Sequence, residues 1–210
     1  MNFTQNFLEE CELIIKSIDS NEIEKIVDIL VETRKNKGRL FVIGSGGGAG
    51  HASHAVCDFR KLCNIEAYAP YDNISELTAR TNDEGWDTTI VNWLRVSNLN
   101  HQDCIFVISV GGGDKEKNVS MNIVNAIQYT YDISTWNYSY TESTFNRQEH
   151  PKVVGIIGRD GGYTKKFGDA VVVIPTISQE HVTPLTEGFQ AVIWHLLVSH
   201  PKLKINETKW

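Results

Sequence analysis

The 210-residue chain predicts an α/β fold: a three-layer α/β/α sandwich around a five-stranded parallel sheet, led by an N-terminal helical arm. Three observations carry this. Short apolar, β-branched segments alternate with amphipathic helical stretches. The apolar segments are hydrophobic on both alternations, as strands covered on both faces must be. Three of those segments run directly into glycine-rich turns.

The elements follow in order. Phe3, Phe7, Cys11, Ile14 and Ile18 recur at helical spacing. A second helix carries Ile23, Ile26, Val27 and Leu30, with Asp19 and Glu22 spaced as a capping box and Gly38 past its end. Residues 1–37 form the arm, and 38–210 form one structural unit. Strands are predicted at 39–43, 104–109, 153–157 and 170–174, with a weaker one at 66–69. Helices are predicted at about 50–62, 86–97, 117–130 and 184–199, the last with Thr183 as N-cap and Pro184 at its first position. Strand, helix, strand in repetition gives a parallel sheet. The polar, aromatic stretch at about 131–150 reads as an insertion.

Composition narrows the function classes. Hydrophobic residues make up 41% and charged residues 22%, as in ordinary globular proteins. The net charge of −6 offers no electrostatic case for nucleic acid. No apolar run is long enough to span a bilayer, so no membrane partner is expected. The N-terminus lacks the basic start and apolar run of a signal peptide, and a cytoplasmic location is expected. Cys11, Cys57, Cys63 and Cys104 show no C-x-x-C spacing and are expected to be reduced and buried.

Ligands of open parallel sheets bind beyond the carboxyl ends of the strands. Three such ends here are Gly44–Gly50 (GSGGGAG), Ser109–Asp114 (SVGGGD) and Gly158–Gly162 (GRDGG). Glycine lets backbone N–H groups approach an anion, and a following helix adds its positive end, so a phosphate is the expected guest. The first turn also matches G-x-G-x-x-A, with Asp72 placed as a ribose-binding acid. That dinucleotide pattern leaves the other two turns unexplained, so no nucleotide cofactor is expected.

Beyond the first turn, His51, His54 and Asp58 share one helix face, opposite Ala52, Val56, Phe59 and Cys63. On the last helix Phe189, Ile193, Leu196 and Leu197 face the core. Glu187 and His195 share a face but stand about 12 Å apart along a straight helix. Two histidines and two carboxylates could hold a divalent, zinc-like ion, or could run proton transfer through an enediol.

These residues resemble the phosphoheptose isomerases of the sugar isomerase (SIS) family, over nearly the whole chain. The family's G-N-G-G-S run, with a His and a catalytic Glu four residues later, corresponds to the stretch from Gly44 through His54 to Asp58. Thr81–Trp86 (TNDEGW) resembles the family's N-D-x-G stretch, and Gly158–Gly162 its G-K-D-G-G turn. Glu187 and His195 match a Gln and a His eight apart. The resemblance implies a SIS, flavodoxin-like fold and conversion of sedoheptulose 7-phosphate to D-glycero-D-manno-heptose 7-phosphate, or a related reaction. It implies a homotetramer with sites between subunits. Asp58 and His195 would be catalytic, and His54, Asp58, Glu187 and His195 would hold zinc. Ser45, Gly46, Gly47, Gly48, Asn82, Asp83, Ser109, Gly111, Gly112 and Lys115 would bind substrate.

The departures are specific. Asp58 replaces a Glu, Glu187 replaces a Gln, and Gly48 replaces a Ser. The hydroxyl-rich S-T-S-G-N-S loop becomes Ser109–Lys117 (SVGGGDKEK), where Lys115 and Lys117 offer charge and Asp114 opposes it.

Overall fold

The structure, a computed structural model, describes residues 2–136 and 150–208. It contains α1 (Phe3–Ser17), α2 (Ser20–Lys35), β1 (Leu40–Gly44), α3 (Gly47–Cys63), β2 (Ala67–Tyr68), α4 (Ile74–Glu84), α5 (Trp86–Val96) and β3 (Cys104–Ser109). There follow α6 (Met121–Trp136), β4 (Lys152–Ile157), α7 (Gly162–Phe167), β5 (Ala170–Val173) and α8 (Val182–Ser199). The strands form one parallel sheet in the order β2-β1-β3-β4-β5. The expected five-stranded sandwich is the observed fold.

The period-two alternation of the strands sorts the core. Leu40, Val42, Phe106, Ile108, Val154, Ile156 and Val172 face one layer, with α2, α3 and α8. Phe41, Ile43, Ile105, Val107, Val153, Ile157 and Val171 face the other, with α5 and α6. Each strand feeds both layers, which is why its sequence reads as continuously apolar. The two N-terminal helices differ. Ile23, Ile26, Val27 and Leu30 of α2 are buried in the first layer, whereas α1 buries only Ile14 fully and leaves Leu8, Leu13 and Ile15 exposed.

Several local expectations are corrected. Asp19 caps α2 by accepting from Asn21 N–H at 2.9 Å, but no capping box closes. Glu22 turns toward β5 instead, accepting from Val171 N–H at 3.0 Å and from Lys25 at 2.6 Å, so it joins α2 to β5. Its carboxyl is held below the usual range, chiefly by the Lys25 hydrogen bond. Helix α8 starts at Val182 and not at Pro184. Proline fits there because the first-turn N–H groups have no helical partner to lose. Leu196 is 42% exposed rather than core-facing. Helix α6 starts at Met121, because Asp114 folds the preceding residues into a turn by accepting from the Glu116 and Lys117 N–H groups.

Helices α4 and α7 were not anticipated. The signal for α4 was present: Asn73 with Glu76 three residues on, where the Asn73 side chain accepts from Glu76 N–H. Cys63 and Cys104 are buried as expected, and burial pushes the Cys63 thiol up to about 11. Cys57 is exposed, because it lies on the outer face of α3. Of the insertion expected at 131–150, residues 131–136 continue α6 and 137–149 lie outside the described residues. Among the described residues no helix is long and apolar enough to cross a membrane.

Candidate functional site

The strand order reverses between β1 and β3, so the crevice of this sheet opens where the turns after those two strands meet. The first turn is shaped by close approach. Gly46, at φ +56°, precedes α3. A Cβ on Gly48 would stand 2.2 Å from the Ile108 carbonyl oxygen, so only glycine lets α3 start this close to β3.

Two side chains outside the glycine motif hold this turn. β2 pairs only with Leu40 and Phe41, which leaves the upper part of β1 without a strand on that side. The Tyr71 hydroxyl fills the gap, accepting from Gly44 N–H at 2.9 Å and donating to the Gly44 carbonyl. Burial pushes the Tyr71 phenol up, so it stays a neutral donor. On the other side, the fully buried Asn122 donates to Ser45 Oγ at 3.1 Å, which leaves the Ser45 proton free to donate. Neither residue carried a sequence signal, since each acts from a distant element. Asp72, which the dinucleotide pattern would have used on a ribose, accepts from Ser53 Oγ at 2.7 Å.

The second turn is braced from below. The Gly112 carbonyl accepts from the Thr164 N–H at 2.9 Å and the Thr164 hydroxyl at 2.7 Å, and the Gly113 carbonyl accepts from the Tyr163 N–H at 2.8 Å. Gly112 donates its own N–H to Ser109 Oγ at 3.1 Å, so it is not free for a ligand, while the Ser109 proton is. Lys117 pairs with Asp114 at 2.9 Å. Lys115 is exposed and forms no ion pair among the described residues.

The third turn was expected to cradle an anion, and its glycines are instead spent on packing. Added Cβ atoms would stand 2.4 Å from Thr186 Oγ1 at Gly158, and 2.2 Å from the Gly111 carbonyl oxygen at Gly162. This turn supports the second one.

The reactive side chains lie between α3 and α8. These helices run side by side in the same direction: Gly47 meets Glu187 at their starts, and His54 and Asp58 meet His195 further along. His54, Asp58 and His195 each bring a ligand atom to within 4.8 Å of the other two. His54 Nε2 is 3.8 Å from Asp58 Oδ2. His195 Nδ1 lies 2.8 Å from the Ala191 carbonyl oxygen, which only an N–H can satisfy, so the lone pair of the neutral ring is on Nε2. Buried Trp194 underlies the group, stacked on the His195 ring at 3.5 Å and edge-on to His54 at 4.7 Å.

Two imidazoles and a carboxylate form a donor set that suits a zinc-like ion and leaves a position open. Glu187, expected in this set, is outside it; its carboxylate lies against Gly47. The physical reason is the rise of α8, since eight residues carry a side chain about 12 Å along the axis.

Asn82 and Asp83 sit exposed on the last turn of α4. Asn82 donates to Asp83 at 2.7 Å, and neither shares a hydrogen bond with the glycine turns. A cavity of about 600 Å³, lined in part by Tyr131, His150, Tyr163 and Asp169, lies at the opposite edge of the sheet and contains none of the candidate residues.

No family model matches the chain. The chain is 24% identical over 200 residues to the phosphoheptose isomerase of Helicobacter pylori strain P12, covering 92% of this chain and 90% of that protein. It is 26% identical over 200 residues to the phosphoheptose isomerase of Aliarcobacter butzleri, covering 92% and 94%. The solved phosphoheptose isomerase of Neisseria gonorrhoeae superposes with a TM-score of 0.72 at 19% identity, over 93% of this chain and 96% of that one. That of Francisella tularensis gives 0.70 at 18%, over 95% and 97%. With this sheet order and two glycine turns at the crevice, the chain is a divergent, phosphoheptose isomerase-like protein of the SIS fold.

Proposed function

We propose that this protein is a sugar-phosphate isomerase that interconverts sedoheptulose 7-phosphate and D-glycero-D-manno-heptose 7-phosphate, or a closely related ketose–aldose pair. The observation that carries the proposal is the convergence of His54, Asp58 and His195 from two helices that both start at the crevice. The phosphoheptose isomerase relatives support the substrate class.

Starting from the ketose, Asp58 removes a proton from C1 while His195, entering the step as the imidazolium, gives its Nε2 proton to the carbonyl oxygen on C2, forming an enediol. Asp58 then returns the proton to C2 as His195 takes the proton from the oxygen on C1. The product is the aldose, with both groups restored. Ser45, Ser109 and the free N–H groups of the first two turns bind the substrate. A zinc-like ion held by His54, Asp58 and His195 would be the alternative to the His195 proton, polarising the carbonyl as a Lewis acid in its place. The proposed assembly is a homotetramer, supported by the apolar side chains left exposed on α1 and by Val192 and Leu196 on α8.

Solvent-deuterium incorporation at C1 of sedoheptulose 7-phosphate and related ketose phosphates, and at C2 of the aldoses formed from them, tests the proposal. Asp58→Asn should lower exchange and turnover by about 10²- to 10⁴-fold, the usual contribution of a general base, while sugar-phosphate binding persists. Full exchange in that variant would remove Asp58 from the chemistry.

A second reading, a non-catalytic sugar-phosphate sensor, is favoured by one observation: Ser109 is the only hydroxyl residue in the segment from Ser109 to Asn118 after β3. The Vibrio vulnificus NanR protein, solved in complex with ManNAc-6P, shares the fold at a TM-score of 0.57 and 12% identity, over 95% of this chain and 63% of that one. Binding without any exchange at C1 of the ketose or C2 of the aldose would select this reading.

A further inference from the structure

Two of the three side chains that converge between α3 and α8 are imidazoles at exposed positions. The His54 side chain is 61% exposed, and among the described residues it forms no hydrogen bond; its Nε2 stands 3.8 Å from Asp58 Oδ2. His195 is also exposed and is tied at one point, by Nδ1 against the Ala191 carbonyl oxygen at 2.8 Å. A side chain in water with one tether or none keeps much of its rotamer freedom, and fixing it costs entropy. Bringing both rings within 4.8 Å of Asp58 takes a rigid surface that touches each.

Trp194 is that surface. It is only 1% exposed. Its indole stacks on the His195 ring with centroids 3.5 Å apart and planes at 28°, and it meets His54 at 4.7 Å and 65°. Adjacent helix positions do not ordinarily face each other, so the stack means that the His195 ring lies back over the indole. The Ala191 carbonyl, one turn earlier, holds it there. The two imidazoles end nearly perpendicular, at 87° with centroids 5.6 Å apart. One buried ring system thus sets the relative placement of donors from two helices.

The indole carries a penalty at this position. Its Nε1–H is buried and has no acceptor among the described residues. A buried donor left unpaired destabilises a fold, and a phenylalanine or leucine here would not bring one. Core stability alone does not call for tryptophan. Contact with two imidazoles does, because the fused rings are wide enough to underlie one and meet the other.

Resting on the role proposed above for His54, Asp58 and His195, we infer that Trp194 is a positioning residue. It acts through the two histidines, presetting them around Asp58 so that the group holds a zinc-like ion.

The test is calorimetric titration with Zn²⁺ alone of the metal-free wild type, Trp194→Leu, Trp194→Phe and His54→Ala, with thermal unfolding and imidazole proton NMR alongside. In the wild type the ring protons of His195 should lie upfield of those of other exposed histidines, through the indole ring current, and Trp194→Leu should move them back. Trp194→Leu should weaken Zn²⁺ binding about 10- to 100-fold, as losing a group that orients a metal ligand does. Trp194→Phe should fall between the two while unfolding near the wild-type midpoint, since it sheds the unpaired N–H together with some packing. In the His54→Ala background Trp194→Leu should cost less, because one of the two rings it holds is gone. If His54→Ala loses Zn²⁺ but both Trp194 variants bind it as the wild type does, the inference fails and the donor set stands. The Phe variant decides alone if the Leu variant does not fold. If the wild type binds no Zn²⁺, or His54→Ala binds it equally well, the donor set fails and the inference with it.

Discussion

The turn after β1 and the turn after β3 are both written in glycine, face the same crevice, and are built for different ends. The first is open above and held at two points, by the Tyr71 hydroxyl on Gly44 and the Asn122 amide on Ser45. Its glycines admit other groups: Gly48 admits the Ile108 carbonyl and Gly47 admits the Glu187 carboxylate. The second is fastened along its length, with the carbonyls of Gly112 and Gly113 taken by α7 and Asp114 closing the turn that follows. A glycine run therefore marks close approach of backbone without saying what approaches. In the first turn it is a carbonyl and a carboxylate; in the second and third it is backbone at Gly112 and Gly162 and side chains at Gly113, Gly158 and Gly161.

Three substitutions would break or sharpen this contrast. The largest effect is expected at Gly162, whose φ is +52° and whose added Cβ would stand 2.2 Å from the Gly111 carbonyl oxygen. Gly162→Ala combines left-handed strain with overpacking and should cost about 2–4 kcal/mol in urea unfolding. If the second turn is braced as described, the same variant loses phosphate affinity. An unchanged midpoint would show that α7 is not its support.

Tyr71→Phe should cost less, about 1–3 kcal/mol, because it leaves the N–H and carbonyl of Gly44 without partners in a half-buried setting. Its signature is a weaker sugar-phosphate affinity at a retained fold. Equal affinity in the two proteins would mean that the first turn keeps its shape without the phenol.

The smallest effect is at Asp114, an exposed carboxylate held below its usual range chiefly by the Lys117 backbone N–H, with the Lys117 ammonium adding to it. Its folded value is depressed, so its contribution is present above the unfolded value and disappears as the pH falls through the folded one. Asp114→Asn should be slightly less stable than wild type at neutral pH. The gap should close below about pH 4, where the wild-type carboxyl begins to protonate. A gap that persisted to low pH would assign the effect to packing instead of charge.

Legibility in the sequence followed how local each cause is. The strands were readable because burial on both faces leaves continuous apolar runs, and α3, α5 and α8 were readable from their apolar stripes. His54 and Asp58 were legible as a pair because one turn of one helix joins them. The exposure of Leu196 and Cys57 was not, since a stripe drawn from spacing does not show where the neighbouring helix ends. Helix α4 was missed because none of its residues is buried, so it has no core-facing stripe and only Asn73 announces it.

By itself, the sequence determined the parallel α/β sandwich, the glycine turns at the strand ends, and which residues each helix presents together. These follow from periods of two and 3.6 residues and from the conformations only glycine adopts easily. Only the tertiary structure decided that His195 joins His54 and Asp58 while Glu187 stays behind at Gly47, and that Tyr71 and Asn122 hold the first turn. Those outcomes depend on how α3 lies against α8 and where β2 stops, which are distances through space between residues far apart in the chain.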